Sequence, residues 1–524
     1  MYRKAPFVMI ILFGIILFGC GKKQRDFDTL YLRLSSDVTT LDPALVVDVS
    51  GGILTSKLFN GLVRYDDKMN LIGDLAERWE ISEDGCTYTF YLKQGVRFTN
   101  GRELTSYDIK YSFKRVLDKK TRSPRTWVFD RILGATEFME GKVKDVIGLA
   151  VKDKYTIEIT LKEPFSPFLG FLAMPTGYIV PKEEVERYGS GFSQHPVGTG
   201  PFKLREWRHD ERIVLEQNED YFDEKAKVKR IEYRIIPEEL TALAEFELGK
   251  LDIMGLPYAE FSRFMENPKW RPYIKSQIGL NVYYLGLNCQ RSPFFNVKVR
   301  QAINYAIDKD GILNTILKNQ AVLAHGSIPP TIPGYNKEIN PYNYDPEKAK
   351  RLLKEAGFKD GFRMTIYQTQ SKEALQLVEI FQDQLKKVGI EAHIVQREWS
   401  AYKDAINKGE PDSFYLAWIA DYPDAENFLY PLFHSKNLGA PGNRARFVNK
   451  RIDKMIEEAI KTTNSEDRIR RYREIERIIN QEAPWVFLWH KKEFVIHQPW
   501  VRNYKPHPIY NADKGTGVEI IRRP

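Results

Sequence analysis

The chain has 524 residues, enough for three or four average domains or for one large scaffold with insertions. With 43% hydrophobic and 28% charged residues it is neither disordered, collagen-like nor a multispan membrane protein, and its 13% aromatic content suits a large core or a lined pocket. The net charge of +9 is spread along the chain, so no nucleic-acid partner is expected, and three cysteines, Cys20, Cys86 and Cys289, are too few for a disulfide scaffold, a zinc cluster or an iron–sulfur site.

Arg3 and Lys4 precede an apolar run over residues 7–18, too short to span the roughly 30 Å of a bilayer as a stable helix. Residues 1–19 therefore read as an export signal, whose removal leaves a net charge of +7. Leu17-Phe18-Gly19-Cys20 resembles the bacterial lipobox, in which the cysteine is lipidated and becomes the new N-terminus. Residues 20–26, carrying Lys22, Lys23 and Arg25, form a tether. The body is thus expected in the periplasm or on the outer face of the cell membrane, lipid-anchored at Cys20. No later run of eighteen apolar residues follows, so the rest of the chain does not cross a membrane as a helix. An exported, tethered body leaves two classes of function: a surface hydrolase, or a receptor that captures a solute.

Residues 30–34 alternate like a strand, and a helix over residues 50–59 is expected to end on a left-handed Asn60-Gly61 cap. Residues 87–92 and 96–99 are strand-like, with Asn100-Gly101 as a turn, and residues 106–117 have helical period. Residues 151–161 read as one strand. Pro164, Pro167, Pro175 and Pro181 then mark a linker. Gly198-Thr199-Gly200-Pro201-Phe202 reads as a tight turn and not a phosphate cradle, since no Gly-Lys-Ser/Thr follows, and leads into strands at 213–215 and 231–236.

From Asn296, which caps a helix over 297–307, helices alternate with strands. Asp345 and Pro346 open a helix that Gly357 ends, and residues 374–388 are amphipathic. Strands at 364–367, 392–396 and 414–418 between these helices predict an α/β region with parallel pairing. Two further helices, 452–460 and 469–479, carry solvated charged faces, and residues 494–496 return to strand. Cys86 and Cys289 lie in strand-like stretches and read as small buried hydrophobes.

No Gly-x-Ser-x-Gly elbow, His-Glu-x-x-His, P-loop or Gly-x-Gly-x-x-Gly is present, and the eight histidines are scattered without metal-ligand spacing. No catalytic residue, metal or cofactor is therefore expected, and an enzyme is unsupported.

Several motifs then share one resemblance. Leu41-Asp42-Pro43, Leu58-Phe59-Asn60-Gly61-Leu62, Leu75-Ala76-Glu77-Arg78-Trp79, Tyr88-Thr89-Phe90-Tyr91-Leu92, Val96-Arg97-Phe98-Thr99-Asn100-Gly101, Gly198-Thr199-Gly200-Pro201-Phe202 and Val299-Arg300-Gln301-Ala302 resemble, in order, the extracytoplasmic solute-binding proteins of peptide-type ABC importers. The stretches 218–222, 294–308, 345–357 and 418–428 complete the set.

The resemblance implies a two-lobed α/β fold, a type II periplasmic-binding-protein architecture with a β-rich domain nested in the first lobe. Lobe I would take residues 27–63, 185–285 and 490–524, the nested domain 64–184, and lobe II 286–489. It implies a monomeric receptor that closes on an oligopeptide and delivers it to permease subunits; the same fold also carries oligosaccharides and metal chelates. In Trp418-Ile419-Ala420-Asp421-Tyr422, Asp421 matches the family's partner for the peptide α-ammonium, and Trp418 and Trp399 match pocket tryptophans. Tyr415 and Glu373 stand where the oligopeptide binders have an arginine and a histidine, and Lys372 is a candidate partner for a ligand carboxylate. With Tyr422, the expected ligand-binding set is Asp421, Trp418, Trp399, Tyr415, Tyr422 and Lys372.

Overall fold

The computed structural model describes residues 26–521, so the export signal, the Cys20 lipidation site and residues 21–25 of the tether lie outside the described residues. Most strands join one twelve-stranded mixed sheet whose two halves meet on a long strand, Trp485–His497. In the first half Thr29–Leu34 runs parallel to Arg230–Ile235 and to Ile253–Gly255, and the hairpin Phe202–Arg208/Arg212–Gln217 closes the edge. In the second half Phe362–Thr369 runs parallel to Ile390–Arg397 and to Ser413–Ile419, with Asn281–Leu287 antiparallel beside the last. The alternation that predicts Phe362–Thr369 works as a packing device: Met364 and Ile366 turn inward, onto a core that Leu377, Val378, Phe381 and Leu385 of helix Lys372–Lys386 reach from residues three and four apart.

Two strands carry the chain between the halves. Ile274–Ile278 is antiparallel to residues 492–496, and Asn281–Leu287 to residues 485–489, so the whole crossing is one two-stranded ribbon. At its midpoint a Cβ on Gly279 would lie 2.3 Å from Asn281 Nδ2, a contact only glycine avoids.

A separate antiparallel sheet, Ala76–Ile81, Thr87–Leu92, Thr156–Thr160 and Leu149–Asp153, with helix Ser106–Leu117, is inserted into the first half of the chain. It also touches the second lobe: Ser166 donates through N and Oγ to the Ile460 carbonyl (2.9 and 2.7 Å), Lys461 pairs with Glu163 at 2.9 Å, and Phe171 meets Tyr422 edge-on at 4.8 Å.

Several local expectations are corrected. Residues 151–161 form two strands, because Asp153 accepts the Tyr155 N–H (2.8 Å) and turns the chain back. Residues 96–99 make only an isolated bridge, Arg97 with Glu103. The helix Val49–Leu58 ends on an extended Phe59 without a left-handed cap; the buried Asn60 instead donates to Asp74 Oδ1 (2.7 Å) and accepts from Thr199 Oγ1 (3.1 Å).

Gly198 and Gly200 serve close approach, since a Cβ on them would lie 2.2 Å from the Leu58 carbonyl and 2.3 Å from the Lys57 carbonyl. The proline-marked linker is core: Phe165, Phe168, Phe171, Leu172, Met174 and Ile179 are each 5% exposed or less. Cys86 and Cys289 are free thiols of intermediate burial; Cys86 sits on the turn at Asp84, ahead of the strand that begins at Thr87.

Candidate functional site

Register locates the site before any side chain does. Thr369 pairs with Arg397, and Tyr367 with Phe414, so Phe362–Thr369, Ile390–Arg397 and Ser413–Ile419 all end on one edge of the second lobe. In the first lobe Leu34 pairs with Ile235, which ends those two strands on a common edge. The long strand Trp485–His497 runs toward the first of these edges, antiparallel to Asn281–Leu287, and then away from the second, antiparallel to Ile253–Gly255. The carboxyl ends of both sets of parallel strands therefore face one cleft, the place where open α/β sheets bind ligands.

Three segments leave the second lobe's edge into this cleft. The first is Ser371-Lys372-Glu373, whose serine caps helix Lys372–Lys386. The second is Glu398-Trp399, whose glutamate caps Trp399–Lys408 by accepting from Ser400 N at 2.8 Å. The third is the loop after Ile419, held because the Asp421 N–H donates to Asn427 Oδ1 (3.1 Å) and the Glu426 N–H to Asp424 Oδ1 (2.9 Å).

Asp421 is exposed, and its carboxylate has no hydrogen-bond or ion-pair partner among the described residues. The surrounding protein desolvates it enough to raise its pKa, an effect partly offset by the positive charge of Arg125. Trp418 is half-buried, and its indole N–H is buried with no acceptor among the described residues. Trp399 is 51% exposed, with Tyr402 and Lys403 beside it. Tyr422 is buried, its ring on Phe171 and its hydroxyl donated to Glu426, whose carboxyl burial pushes up to about 7. Lys372 is exposed and makes no ion pair among the described residues. Tyr415 is separated from these: it is buried in the sheet's other face against Phe381 and Tyr283, with its carbonyl accepting the Tyr402 hydroxyl (2.6 Å).

At the ribbon's midpoint the structure adds a cluster that sequence reasoning did not find. Lys491, 6% exposed, pairs with Glu373 and lies over the rings of Tyr283 (4.7 Å) and Tyr258 (4.9 Å). The Tyr258 hydroxyl in turn donates to the Lys492 carbonyl at 2.6 Å. Glu373 thus supplies an internal ion pair.

A polar cavity of about 740 Å³, bounded by Arg64, Asp67, Lys275, His497, Arg502 and Lys514, lies elsewhere. Its His497 pairs with Ile253 at the start of a parallel strand, which puts the cavity on the amino edge, away from the cleft. No group of three or more metal-ligating side chains occurs among the described residues.

The model of the bacterial extracellular solute-binding proteins, family 5, matches residues 70–440. The chain is 32% identical over 501 residues to heme-binding protein A of Haemophilus influenzae, covering 91% of this chain and 90% of that one. Among solved structures, the murein tripeptide-binding protein MppA in its unliganded open form matches with a TM-score of 0.84 at 25% identity, covering 95% of this chain and 98% of that one. The ABC transporter-associated periplasmic binding protein DppA of Helicobacter pylori, in complex with peptide STSA, matches with a TM-score of 0.73 at 31% identity, covering 94% and 98%. Sequence, sheet topology and these likenesses agree that the chain belongs to family 5 of the bacterial extracellular solute-binding proteins, the two-lobed α/β receptors of peptide-type ABC importers.

Proposed function

We propose that the protein is a lipid-anchored receptor that captures a peptide between its two lobes and hands it to the permease of an ABC importer. The observation that carries this reading is Asp421, an unpaired carboxylate at the carboxyl edge of the second lobe's parallel strands. A peptide α-ammonium taken out of water needs such a partner, since burial of an unpaired cation is costly.

Closure follows from differential affinity: a ligand touching both lobes favours the conformation in which both touch it. The better superposition on an unliganded open form than on a peptide complex closer in sequence supports reading this structure as the open state. Cys20 would carry the anchor; labelling with a radioactive fatty acid, lost in C20A, checks that part.

Calorimetry with a pool of tri- to pentapeptides tests the assignment. Binding that N-acetylation and D421N both abolish is expected; a pool that does not bind, or binding indifferent to both changes, overturns it. Recovery of the ligand intact excludes a peptide hydrolase. The heme-binding relative supports a second ligand class, which titration with heme, read in its absorbance band, distinguishes.

A further inference from the structure

The cavity of about 740 Å³ on the amino edge draws its lining from residues 64–67, 221–227, 272–275 and 497–518, none of them in the half of the sheet that ends at Asp421. Lobe closure is therefore no condition for filling it. One wall is fixed by buried ion pairs: Lys57, 2% exposed, meets Asp513 at 3.1 Å, and Lys514, 8% exposed, meets Asp74 at 3.4 Å and donates to the Phe59 carbonyl at 2.9 Å. On the sheet side Ile274 pairs with Ile496, and the rings of Tyr273 and Tyr504 pack on His497, with ring centres 5.6 and 6.3 Å away. These contacts hold the walls without a ligand.

The charges of the lining do not balance. Six cationic and four anionic side chains contribute to it, and three of the four carboxylates are taken, Asp67 by Lys505, Asp223 by Arg64 and Asp513 by Lys57. Lys514 is held by Asp74. Lys227, Lys275 and Arg502 pair with no carboxylate among the described residues, and Glu224 pairs with no cation, which leaves a surplus of two positive charges. The His507 Nδ1 is buried without a hydrogen-bond partner among the described residues, 3.9 Å from Asp67 Oδ1. Burial above all, and then the positive charges of Lys275 and Arg502, hold His497 below its ordinary pKa, so both cations act on the same wall.

A preformed concave surface with surplus positive charge focuses anions, and this volume lies within the range of small-molecule sites, well above what a bare ion fills. We propose that the cavity is a second ligand site that takes a phosphate monoester, with the phosphate oxygens on Lys275 and Arg502 and the organic part against Tyr273 and Tyr504. The charge fits: a phosphate monoester carries about −1.5 to −2 at neutral pH, close to the surplus of the lining. Arg502 offers a planar fork and Lys275 a point charge, the two forms in which side chains grip phosphate. A single carboxylate would leave one of the two positive charges unmatched.

Calorimetry on the full-length protein with glycerol 3-phosphate, glucose 6-phosphate and adenosine monophosphate, and with glycerol and glucose as uncharged controls, tests this. At least one ester should bind at one site per chain, roughly tenfold or more weaker to K275Q/R502Q, and neither control should bind. No binding by any ester, or equal ester affinity in K275Q/R502Q and the unmodified protein, overturns the site. Proton NMR on the unmodified protein keeps the test open should that variant fail to fold: the ring signals of His497 and His507, assigned from H497Q and H507Q, should move as the ester is added, and signals that stay in place overturn the location. The site is separate from the cleft, so D421N should bind the ester as tightly as the unmodified protein does. Loss of ester binding in D421N puts the ester in the cleft and overturns the proposal, whereas a failure of peptide binding alone leaves it standing.

Discussion

The side chain of Asn281 brackets the backbone of Lys491: its Oδ1 accepts the Lys491 N–H at 2.8 Å and its Nδ2 donates to the Lys491 carbonyl at 3.2 Å. A side chain here replaces the ladder between the two crossing strands at the point where Gly279 and Asn281 turn from one lobe into the other. Asn281 is 7% exposed, so deleting its amide leaves the Lys491 N–H unpaired, while the Lys491 carbonyl keeps the Gly279 N–H at 3.0 Å. N281A is expected to destabilise the protein by about 2 kcal/mol, read from urea unfolding, with N281D recovering only the accepted hydrogen bond. An unchanged unfolding midpoint would show that water replaces the bracket.

Asp421 carries the charge side of the cleft. D421N is expected to weaken peptide binding by roughly ten- to a hundredfold, the worth of a charge-assisted hydrogen bond, while leaving the unfolding midpoint unchanged or higher. Partial desolvation by the surrounding protein raises the pKa of this carboxyl in the empty site, and an ammonium partner lowers it in the complex. Binding therefore takes the charged form. Affinity should fall as pH drops toward that raised pKa, and the pH dependence should be absent in D421N, as calorimetry across pH would show.

Glu476 predicts a pH dependence of stability. Its Oε1 accepts the Ile328 N–H at 2.7 Å, its Oε2 is buried without a partner among the described residues, and burial pushes its pKa to about 8. The folded state holds a proton that the unfolded chain, with an ordinary carboxyl near pH 4.3, releases. The stability this proton confers is complete below about pH 4.3 and is lost as pH rises to about 8, at up to about 1.4 kcal/mol per pH unit. E476Q keeps the accepting oxygen and removes the proton, so its stability should fall less steeply over that range. Glu426, raised to about 7, titrates in the same window, so the slope is reduced and not abolished. Urea unfolding at pH 5 and pH 8 measures the difference, and equal slopes in the two proteins would refute the assignment.

How much of this was legible in the sequence depends on the range of the contact. Helix Ser106–Leu117 carries its own period, and the helices opened by Asn296 and Asp345 carry their own caps, so all three were found locally. The edge that gathers Lys372, Trp399 and Asp421 follows from parallel strands alternating with helices, a pattern also written locally. Lys491 was invisible because it sits in a strand otherwise made to be buried and meets Glu373 118 residues away. Arg125 was invisible for the same reason, its partners being carbonyls 78 and 79 residues earlier. Asn60 misled in the other direction: a residue that suits a turn by propensity was placed by packing, against Asp74.

The inserted domain is fixed to the first lobe by a pair whose loss should be felt globally. Arg115, in helix Ser106–Leu117, grips Asp42 with both terminal nitrogens, Nη1 at 2.8 Å from Oδ1, and the two side chains are only 12% and 5% exposed. Breaking a buried pair by deleting one partner strands the other charge, which costs about 3–5 kcal/mol, more than the net worth of the intact pair. R115A should therefore destabilise by about 3 kcal/mol or more, whereas R115M paired with D42N should recover much of the loss, since asparagine removes the stranded charge and still accepts the Ala44 N–H, at 3.1 Å from Asp42 Oδ1. Arginine geometry matters as well as charge: R115K meets one carboxylate oxygen where the guanidinium meets two, and should fall between the wild type and R115A. Urea unfolding of these three variants and the wild type orders them. If R115A is no less stable than the double variant, the stranded Asp42 is reached by water and the pair is not the anchor between helix Ser106–Leu117 and the first lobe.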